Sequence, residues 1–436
     1  MYRKAVEELV AWKASARRKP LVLRGARQVG KTWLMKEFAR REYEDSIYIS
    51  FDKDADAAKV FEDTKDPKLI LQRLALMRGK AVLPEKTLII LDEIQECPGA
   101  LGSLKYFNEE ANEFHVITAG SLLGTYLAKP TSYPVGKVNL LNIYPLSFEE
   151  YLAAADAGMY QYYAEVKSGK DYVSAFHNRM TEHYKKYLII GGMPECVESW
   201  VERADPEEVD AIQGEIISLY ENDFTKHSGK VNSGRVLQVF RSIVPQLAKG
   251  NNEKFMYAAI AKSARAKDFE DAIEWLVSSG IAYRILNISK PEYPLRAYEI
   301  LNYFKLFLLD VGLIKHMAQL TNKSILFSEA FRFKGQLAEN YILEQLLPLL
   351  DYSPNYYAYA QDREIDFILQ HGEIIIPIEV KSGENKKAVS FKRYIEKFKP
   401  EISVRFSTKE YLINGAIINI PLYFAGKMFE LISEQS

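Results

Sequence analysis

The segment from Gly25 to Thr32 constrains the fold more than any other part of this 436-residue chain. It reads Gly-Ala-Arg-Gln-Val-Gly-Lys-Thr and fits the pattern G-x-x-x-x-G-K-[ST] at every defined position. An apolar run at residues 21–23 precedes it, and a helical pattern at residues 33–41 follows. In a strand–loop–helix of this kind, loop N–H groups converge on phosphates, the lysine neutralises the β and γ oxygens, and the hydroxyl reaches Mg²⁺. The sequence therefore predicts a site for ATP and Mg²⁺ with these phosphate-binding residues: Gly25, Ala26, Arg27, Gln28, Val29, Gly30, Lys31 and Thr32.

Short β-branched runs alternate with helical stretches over residues 20–150. This alternation predicts a parallel sheet with helical crossovers. The expected strands lie at residues 21–23, 47–51, 87–91, 115–118 and 138–143.

Two carboxylates follow the apolar strand at residues 87–91. Because a parallel sheet presents ligands at the carboxyl ends of its strands, we expect Asp92 to hold Mg²⁺. Glu93 is then placed to orient or deprotonate an attacking water. The strand around Ile47 lies between the loop and Asp92 in sequence, so we expect another strand to separate theirs in the sheet. That arrangement, with a glutamate beside the aspartate, is typical of hydrolysing ATPases.

Three further side chains near the phosphate site admit two interpretations each. Ser121 follows the fourth strand, where a γ-phosphate sensor would lie, but a plain turn explains it equally well. Arg24 and Arg27 are expected to flank the phosphates, and either is suited to act on the nucleotide of a neighbouring subunit in a homo-oligomer. Arginines in such positions are more often members of surface ion pairs.

Composition excludes several classes of protein. The chain has 57 Lys plus Arg and 58 Asp plus Glu, and the resulting formal charge of -1 does not indicate any class of binding partner. Cys97 and Cys196 are the only cysteines, which leaves no disulfide framework and no zinc-binding thiolate cluster. We therefore expect the protein to reside in the reducing cytoplasm. No apolar run approaches about 20 residues, so we expect no membrane span.

Residues 231–290 carry nine Lys or Arg against five Asp or Glu, a local balance of +4. The pattern predicts helices at residues 257–264 and 269–278 and then a strand at 281–288, which is similar to a winged helix that binds DNA in the major groove. However, the second of these helices carries Glu270, Asp271 and Glu274, which would face phosphates unfavourably. A purely structural link is the alternative.

Carboxylates also gather in the last hundred residues. A helix predicted over residues 336–350 has an apolar stripe, and Glu339 lies on that face, so this acid needs a cation, a hydrogen-bond partner or a metal. A hairpin is predicted around residues 370–372. If His371-Gly372 is its turn, Glu364 faces Glu379, and Asp366 lies diagonal to Glu379 on the same side. Carboxylates so placed can share a metal ion.

Several motifs together resemble the archaeal and bacterial ATPase family of the AAA+ class. They are RGARQVGKT at residues 24–32, LDEIQ at 91–95, AGS at 119–121, YPLSFEEYL at 144–152 and GGMPE at 191–195. The resemblance implies an ATPase core, a helical segment, a winged-helix-like segment and an end domain similar to PD-(D/E)xK nucleases. We place these at residues 1–155, 156–230, 231–325 and 326–436.

Glu339, Asp366, Glu379 and Lys381 match the PD-(D/E)xK pattern. In such sites the acids hold one or two Mg²⁺ ions and the lysine orients or activates the attacking water. Two departures stand out: Pro377 interrupts the second strand, which predicts a bulge, and no proline precedes Asp366. The alternative is an ion-paired remnant of the fold in which Lys381 neutralises Glu379.

The sequence thus predicts an α/β protein: a P-loop NTPase parallel sheet with a helical lid, a winged-helix-like middle and a PD-(D/E)xK-like end domain. The expected function is a Mg-ATP-dependent ATPase associated with DNA, with a metal-dependent nuclease end domain. The rival hypothesis is a nucleotide-dependent switch whose end domain only binds. Carboxylates locked in internal ion pairs would favour the rival.

Overall fold

The computed structural model describes residues 1–120, 136–227, 230–249, 254–260, 265–327, 333–360, 363–383 and 389–433. The chain divides into two compact units. Residues 3–144 and 278–281 form the amino-terminal unit, and residues 1–2, 145–277 and 282–436 form the carboxy-terminal unit.

A parallel sheet forms the centre of the amino-terminal unit. Its described strands follow the order β2-β3-β4-β1-β5, and every pairing is parallel. This confirms the α/β prediction. One strand, β4, separates β1 from β3, as expected. Strand β2 lies at the edge of the sheet. The strands are β1 (Leu21–Arg24), β2 (Asp45–Ser50), β3 (Thr87–Asp92), β4 (His115–Ala119) and β5 (Asn139–Asn142).

Helices connect these strands, and their ends follow from local sequence. The helix that follows β1 begins directly after Gly30, whose φ of +90° favours glycine. The helix at Pro67–Arg78 begins with a proline. The Asp66 carboxylate before it accepts the backbone N–H of Lys68, and Gly79, in the left-handed region, ends it. The helices are α1 (Ala5–Ala14), α2 (Lys31–Glu42), α3 (Ala55–Asp63), α4 (Pro67–Arg78) and α5 (Pro98–Glu110).

The first half of the carboxy-terminal unit is helical. Ser147 and Glu150 form a capping box at the start of α6. The helices are α6 (Phe148–Ala155), α7 (Ala157–Glu165), α8 (His177–Ile190), α9 (Pro194–Arg203), α10 (Pro206–His227), α11 (Lys230–Leu247) and α12 (Ala266–Ser278).

A mixed sheet in the order β12-β13-β11-β10-β9-β8-β6-β7 occupies the rest of this unit. Its strands are β6 (Ala282–Ile288), β7 (Glu299–Leu308), β8 (Asn355–Ala360), β9 (Arg363–His371), β10 (Ile374–Lys381), β11 (Ser403–Ser407), β12 (Leu412–Asn414) and β13 (Ile417–Pro421). Further helices are α13 (Val311–Met317), α14 (Asn322–Phe327), α15 (Lys334–Leu346), α16 (Val389–Phe398) and α17 (Met428–Ile432).

The segment predicted to resemble a winged helix shares this sheet with the end domain. Its hairpin, β6 with β7, joins the end-domain strands through a parallel contact between Asn287 and Tyr356. The predicted helix at residues 257–264 is a short 3₁₀ turn at Tyr257–Ala259, and residues 261–264 lie outside the described part of the chain. The hairpin is thus built into a larger sheet.

The predicted register of the end-domain hairpin is wrong by two residues. His371 pairs with Ile374 and Ile378 with Phe367, so Gly372, at φ +61°, and Glu373 form the turn. If this register is extended by one residue, Glu379 falls opposite Asp366 and not diagonal to it. The shift is an even number of residues, so the acids still share one face.

The bulge predicted at Pro377 is absent, because Pro377 pairs with Ile368 without a register shift. Pairing of β10 with β11 begins only at Ile378, so Pro377 has one paired neighbouring strand. The helix predicted at residues 336–350 spans Lys334–Leu346 and passes into a 3₁₀ turn at Leu347–Leu349 that contains Pro348.

The buried carboxylate of Asp310 links two segments of the carboxy-terminal unit, residues 145–152 and 191–195. Asp310 is fully buried and accepts the backbone N–H of Gly192 at 2.5 Å and of Leu313 at 3.0 Å. Gly192 in turn accepts the backbone N–H of Leu146 at 2.6 Å. A Cβ on Gly192 would lie 2.1 Å from the Leu146 oxygen. The glycine pair is therefore required by close backbone packing.

Within the described residues, no helix is long and apolar enough to cross a membrane.

Gly192→Ala tests this packing. The added Cβ must displace backbone at Leu146, so we expect the free energy of unfolding to fall by about 3 kcal/mol in urea titrations. Gly234→Ala is the matched control, because no atom of the described residues lies within 4 Å of its Cβ position in α11, and it should change stability by less than about 1 kcal/mol. Equal stability of the Gly192 variant and wild type would contradict the assigned packing.

Candidate functional site

The loop of residues 25–32 has a backbone that only particular residues can adopt. Gly25 has φ +147°, and a Cβ there would lie 2.2 Å from the Ile143 carbonyl oxygen. Gly30 has φ +90°, and Gln28 also lies in the left-handed region at φ +63°. The two glycines of the motif are thus required by conformation, and the loop leads directly into the first turn of α2.

Lys31 folds back over the loop. Its Nζ donates to the carbonyl oxygens of Gly25 at 2.8 Å and Ala26 at 2.7 Å, and the residue is 8% exposed. Burial lowers the pKa of Lys31 to about 8, and the nearby charges of Glu93 and Asp92 oppose that shift. The ammonium is therefore held at the loop by carbonyl oxygens, which phosphate oxygens would replace.

Asp92 joins three elements of the amino-terminal unit. Its Oδ2 accepts the Thr32 hydroxyl at 2.7 Å and the Tyr48 hydroxyl at 3.0 Å, while its Oδ1 accepts the Glu93 backbone N–H at 3.1 Å. Thr32 begins α2, and Tyr48 lies on β2. The predicted Mg²⁺ ligands, Thr32 and Asp92, are thus in direct contact.

Glu93 stands at the carboxyl end of β3 in a left-handed conformation with φ +50°. Its Oε2 accepts a hydrogen bond of 2.5 Å from Nε2 of Gln95, which is 4% exposed. Such a backbone conformation is uncommon for glutamate and marks a constrained position. The structure thus holds this carboxylate beside Asp92.

Tyr48, Gln95 and Gly280 contribute to the site and were not found from the sequence. Gly280, in a turn far along the chain, approaches the loop so closely that a Cβ would lie 3.3 Å from the Ala26 nitrogen. Gln95 belongs to the LDEIQ motif, which by itself assigned it no role, and no motif marks Tyr48 or Gly280. Ser121 lies outside the described residues, and its role as a sensor stays a prediction, as do the roles of Arg24 and Arg27.

A second polar cluster lies on the carboxy-terminal sheet. Glu339 on α15, Glu364 and Asp366 on β9, and Glu379 and Lys381 on β10 lie close enough to interact electrostatically. Asp366 Oδ2 accepts the Val380 backbone N–H at 2.7 Å. The side chains of Glu364 and Glu379 are each only 3% exposed.

Two lysines neutralise this cluster. Lys381 forms an ion pair with Glu379, and Lys305 on β7 forms one with Glu364. Lys305 was not predicted as a member of the cluster, because it lies far from the other members in the chain. Over the described ranges, no group of three or more His, Cys, Asp or Glu side chains is arranged to hold a metal ion.

Burial dominates the protonation of these groups. It raises the pKa of Glu339 to about 8 and that of Glu379 to about 7, and the charge of Asp366 acts in the same direction on both. Burial would lower the pKa of Lys305, but the carboxylates of Glu364 and Glu339 outweigh it and raise that pKa. Proton uptake and lysine pairing thus both reduce the negative charge of the cluster.

Part of the acidic face of α12, the helix proposed to enter a DNA groove, interacts with an arginine of the same chain. Arg284 on β6 forms an ion pair with Glu274, and its other guanidinium nitrogen lies 3.8 Å from Glu270. Arg284 is therefore less available to phosphates than its contribution to the local charge of +4 suggests.

Comparison with protein families divides the chain into three matched regions. Residues 17–152 match a model described as an AAA domain. Residues 181–324 and 334–424 match two domains of unknown function, DUF8612 and DUF4143. The first match identifies an AAA+ ATPase-like, nucleotide-binding domain around the loop. The likeness of the end domain to PD-(D/E)xK nucleases is not shown by these matches.

Solved structures similar to the chain are distant. A STAND signal-transduction ATPase with a tetratricopeptide repeat sensor from Pyrococcus horikoshii is 12% identical at a TM-score of 0.29, over 80% of this chain and 46% of its own. Aeropyrum pernix ORC1 in complex with DNA is 13% identical at 0.25, over 73% and 91%. The RuvB Holliday junction branch migration motor from Thermotoga maritima is 13% identical at 0.26, over 65% and 90%.

The chain thus spans less than half the length of the first of these proteins. Likenesses at these scores carry no argument about function. A comparison with curated proteins finds no match.

Lys31→Met tests the electrostatics of the loop without nucleotide. At pH 7 the ammonium is charged in both states, and a folded pKa of about 8 against 10.5 unfolded costs the folded state about 3 kcal/mol. We therefore expect the variant to unfold at higher urea than wild type at pH 7.

The pH dependence has a definite sign. Between pH 8 and 10.5 the unfolded chain binds more protons at Lys31, so wild-type stability rises with pH. The advantage of Lys31→Met should shrink as the pH is raised through this range, whereas Lys68→Met, at an exposed position of α4, should show none. An advantage that is constant with pH would refute the burial cost.

Proposed function

We propose that the chain binds Mg-ATP at residues 25–32 and hydrolyses it. The observation that carries this proposal is the hydrogen bond of 2.7 Å between the Thr32 hydroxyl and Asp92, which joins the phosphate loop to the acidic end of β3. Around that bond lie a lysine for the phosphates and a second carboxylate, Glu93, for water. The match of residues 17–152 to an AAA domain supports the same conclusion.

Each group has a distinct task in this proposal. The loop N–H groups and Lys31 bind the phosphates, and Glu93, oriented by Gln95, accepts a proton from the attacking water. Oxygen donors are the ligands that Mg²⁺ prefers, so the Thr32 hydroxyl and the Asp92 carboxylate fit this ion. Bound Mg²⁺ would neutralise charge that develops on the phosphate oxygens.

For the end domain we propose a binding role controlled by nucleotide, as in the switch hypothesis. The ion pairs Lys381–Glu379 and Lys305–Glu364 favour it over a nuclease, because two of the four acids already have a lysine as partner. DNA is the partner that we propose for the middle segment, supported by its charge of +4 and weakened by the pairing of Arg284. A nuclease with Glu339, Asp366 and Glu379 as metal ligands is the competing proposal.

Glu93→Gln separates ATP binding from hydrolysis. The amide keeps the shape of the side chain but cannot accept the proton, so we expect nucleotide affinity near that of wild type and turnover lower by roughly 10² or more. Titration calorimetry and phosphate release measure the two quantities. Lys31→Ala is the comparison variant and should lose affinity, because only backbone dipoles then face the β and γ phosphates. Undiminished phosphate release by Glu93→Gln would place the base elsewhere.

Lys381→Met distinguishes an ion-paired end domain from a nuclease. Removal of the lysine leaves Glu379 buried without its cation, so the free energy of unfolding should fall by about 3 kcal/mol, and adding Glu379→Gln should restore most of it. Lys397→Met, on the exposed face of α16, is the control. Wild type should leave short duplex DNA intact with Mn²⁺. Cleavage that Glu379→Ala abolishes would establish the nuclease instead.

A further inference from the structure

Tyr48 occupies a position that the phosphate-site motifs do not specify. It lies on β2, the edge strand beside β3, and its hydroxyl donates to Oδ2 of Asp92 at 3.0 Å. The residue is 39% exposed, so its ring is not simply part of the core. A tyrosine on an outward-facing position of an edge strand requires no buried partner, yet this one contacts a candidate Mg²⁺ ligand.

The ring is held from a second side. Nζ of Lys36 lies 3.8 Å from the centroid of the Tyr48 ring, a cation–π contact. Lys36 is one helical turn beyond Thr32 on α2, so both residues face the same way. Helix α2 therefore contacts the tyrosine in two ways. Lys36 lies over its ring, and Thr32 donates to the same carboxylate, Asp92, as the tyrosine hydroxyl does.

The hydrogen bonds of Asp92 show what the tyrosine does. A carboxylate offers about four lone-pair sites, two on each oxygen. Among the described residues, Thr32 and Tyr48 donate to Oδ2 and the Glu93 N–H donates to Oδ1, which leaves one site, on Oδ1. The carboxylate plane is thus fixed by donors from α2, β2 and β3, and one lone pair is left for the ion or its water. The Thr32 hydroxyl oxygen keeps its own lone pairs for Mg²⁺, because its proton is already directed at Asp92.

We propose that Tyr48 is a positioning residue for the Mg²⁺ site: its hydroxyl fixes the Asp92 carboxylate so that the remaining lone pair faces the ion. This inference rests on the proposed binding of Mg-ATP. Groups that orient a metal ligand change metal affinity or activity by about 10- to 100-fold when they are removed. Tyr48 acts through Asp92 and contacts neither the phosphates nor the attacking water in this proposal.

Tyr48→Phe removes one oxygen and leaves the ring under Lys36, so the fold should be preserved. The measurement is the affinity for a non-hydrolysable ATP analogue by calorimetry, with and without Mg²⁺, together with the Mg²⁺ concentration that gives half-maximal hydrolysis. We expect that concentration to rise about tenfold, and the affinity without Mg²⁺ to stay within about twofold of wild type. Tyr106→Phe is the matched control, because its ring also lies near a lysine, Lys105, and should leave both quantities unchanged.

Asp92→Asn distinguishes a failure of the role assigned to Tyr48 from a failure of the proposed Mg²⁺ site. An unchanged Mg²⁺ requirement in Tyr48→Phe, with a raised one in Asp92→Asn, would overturn the role of Tyr48 and leave the Mg²⁺ site in place. Analogue binding by wild type that does not respond to Mg²⁺ would overturn both. Equal weakening of binding with and without Mg²⁺ in Tyr48→Phe would show that the tyrosine supports the loop as a whole, which also contradicts the proposal.

Discussion

The hydrogen bonds accepted by the Asp92 carboxylate are the constraint on which the candidate site depends. They join the first turn of α2, the edge strand β2 and the end of β3 at one side chain. Charge-assisted hydrogen bonds of this kind are stronger than neutral ones and fix orientation as well as distance. The loop is consequently held in register with the carboxyl end of the sheet, and the backbone of Glu93, which directly follows Asp92, is positioned by the same group.

The carboxy-terminal unit uses a buried carboxylate in the same way. Burial raises the pKa of Asp310 to about 6, and the N–H groups of Gly192, Leu313 and Gly312 oppose that rise. A buried acid is costly unless donors surround it, so the chain must bring these backbone groups within hydrogen-bonding distance. Only residues without a Cβ permit the approach at Gly191, where a Cβ would lie 2.3 Å from Asp310 Oδ1. Close packing against Asp310 and Leu146 thereby explains the two glycines of the GGMPE segment.

Sequence reasoning succeeded where chemistry is concentrated in a few adjacent residues. The phosphate loop, Asp92, Glu93 and the parallel sheet follow from local patterns, because strand, loop and helix are contiguous there. It failed where partners come from distant strands. Tyr48 and Lys305 meet their acids only through sheet order, and the hairpin register depends on whether Gly372 is the first or second turn residue. The position of Lys305 in particular requires β7 to lie in the end-domain sheet, which no local pattern indicates.

The same distant pairing decides how the end-domain acids should be interpreted. Four carboxylates close together would repel one another and attract a divalent cation, but two ammonium groups, one each for Glu364 and Glu379, already supply positive charge. The raised pKa of Glu339, about 8, removes further negative charge near neutral pH. A metal ion entering this cluster would have to displace protons and compete with lysines that are held close by backbone placement. The electrostatics thus favour a stable, ion-paired face over an open metal site, and they make Lys305, supplied by a strand outside the DUF4143 match, part of what stabilises it.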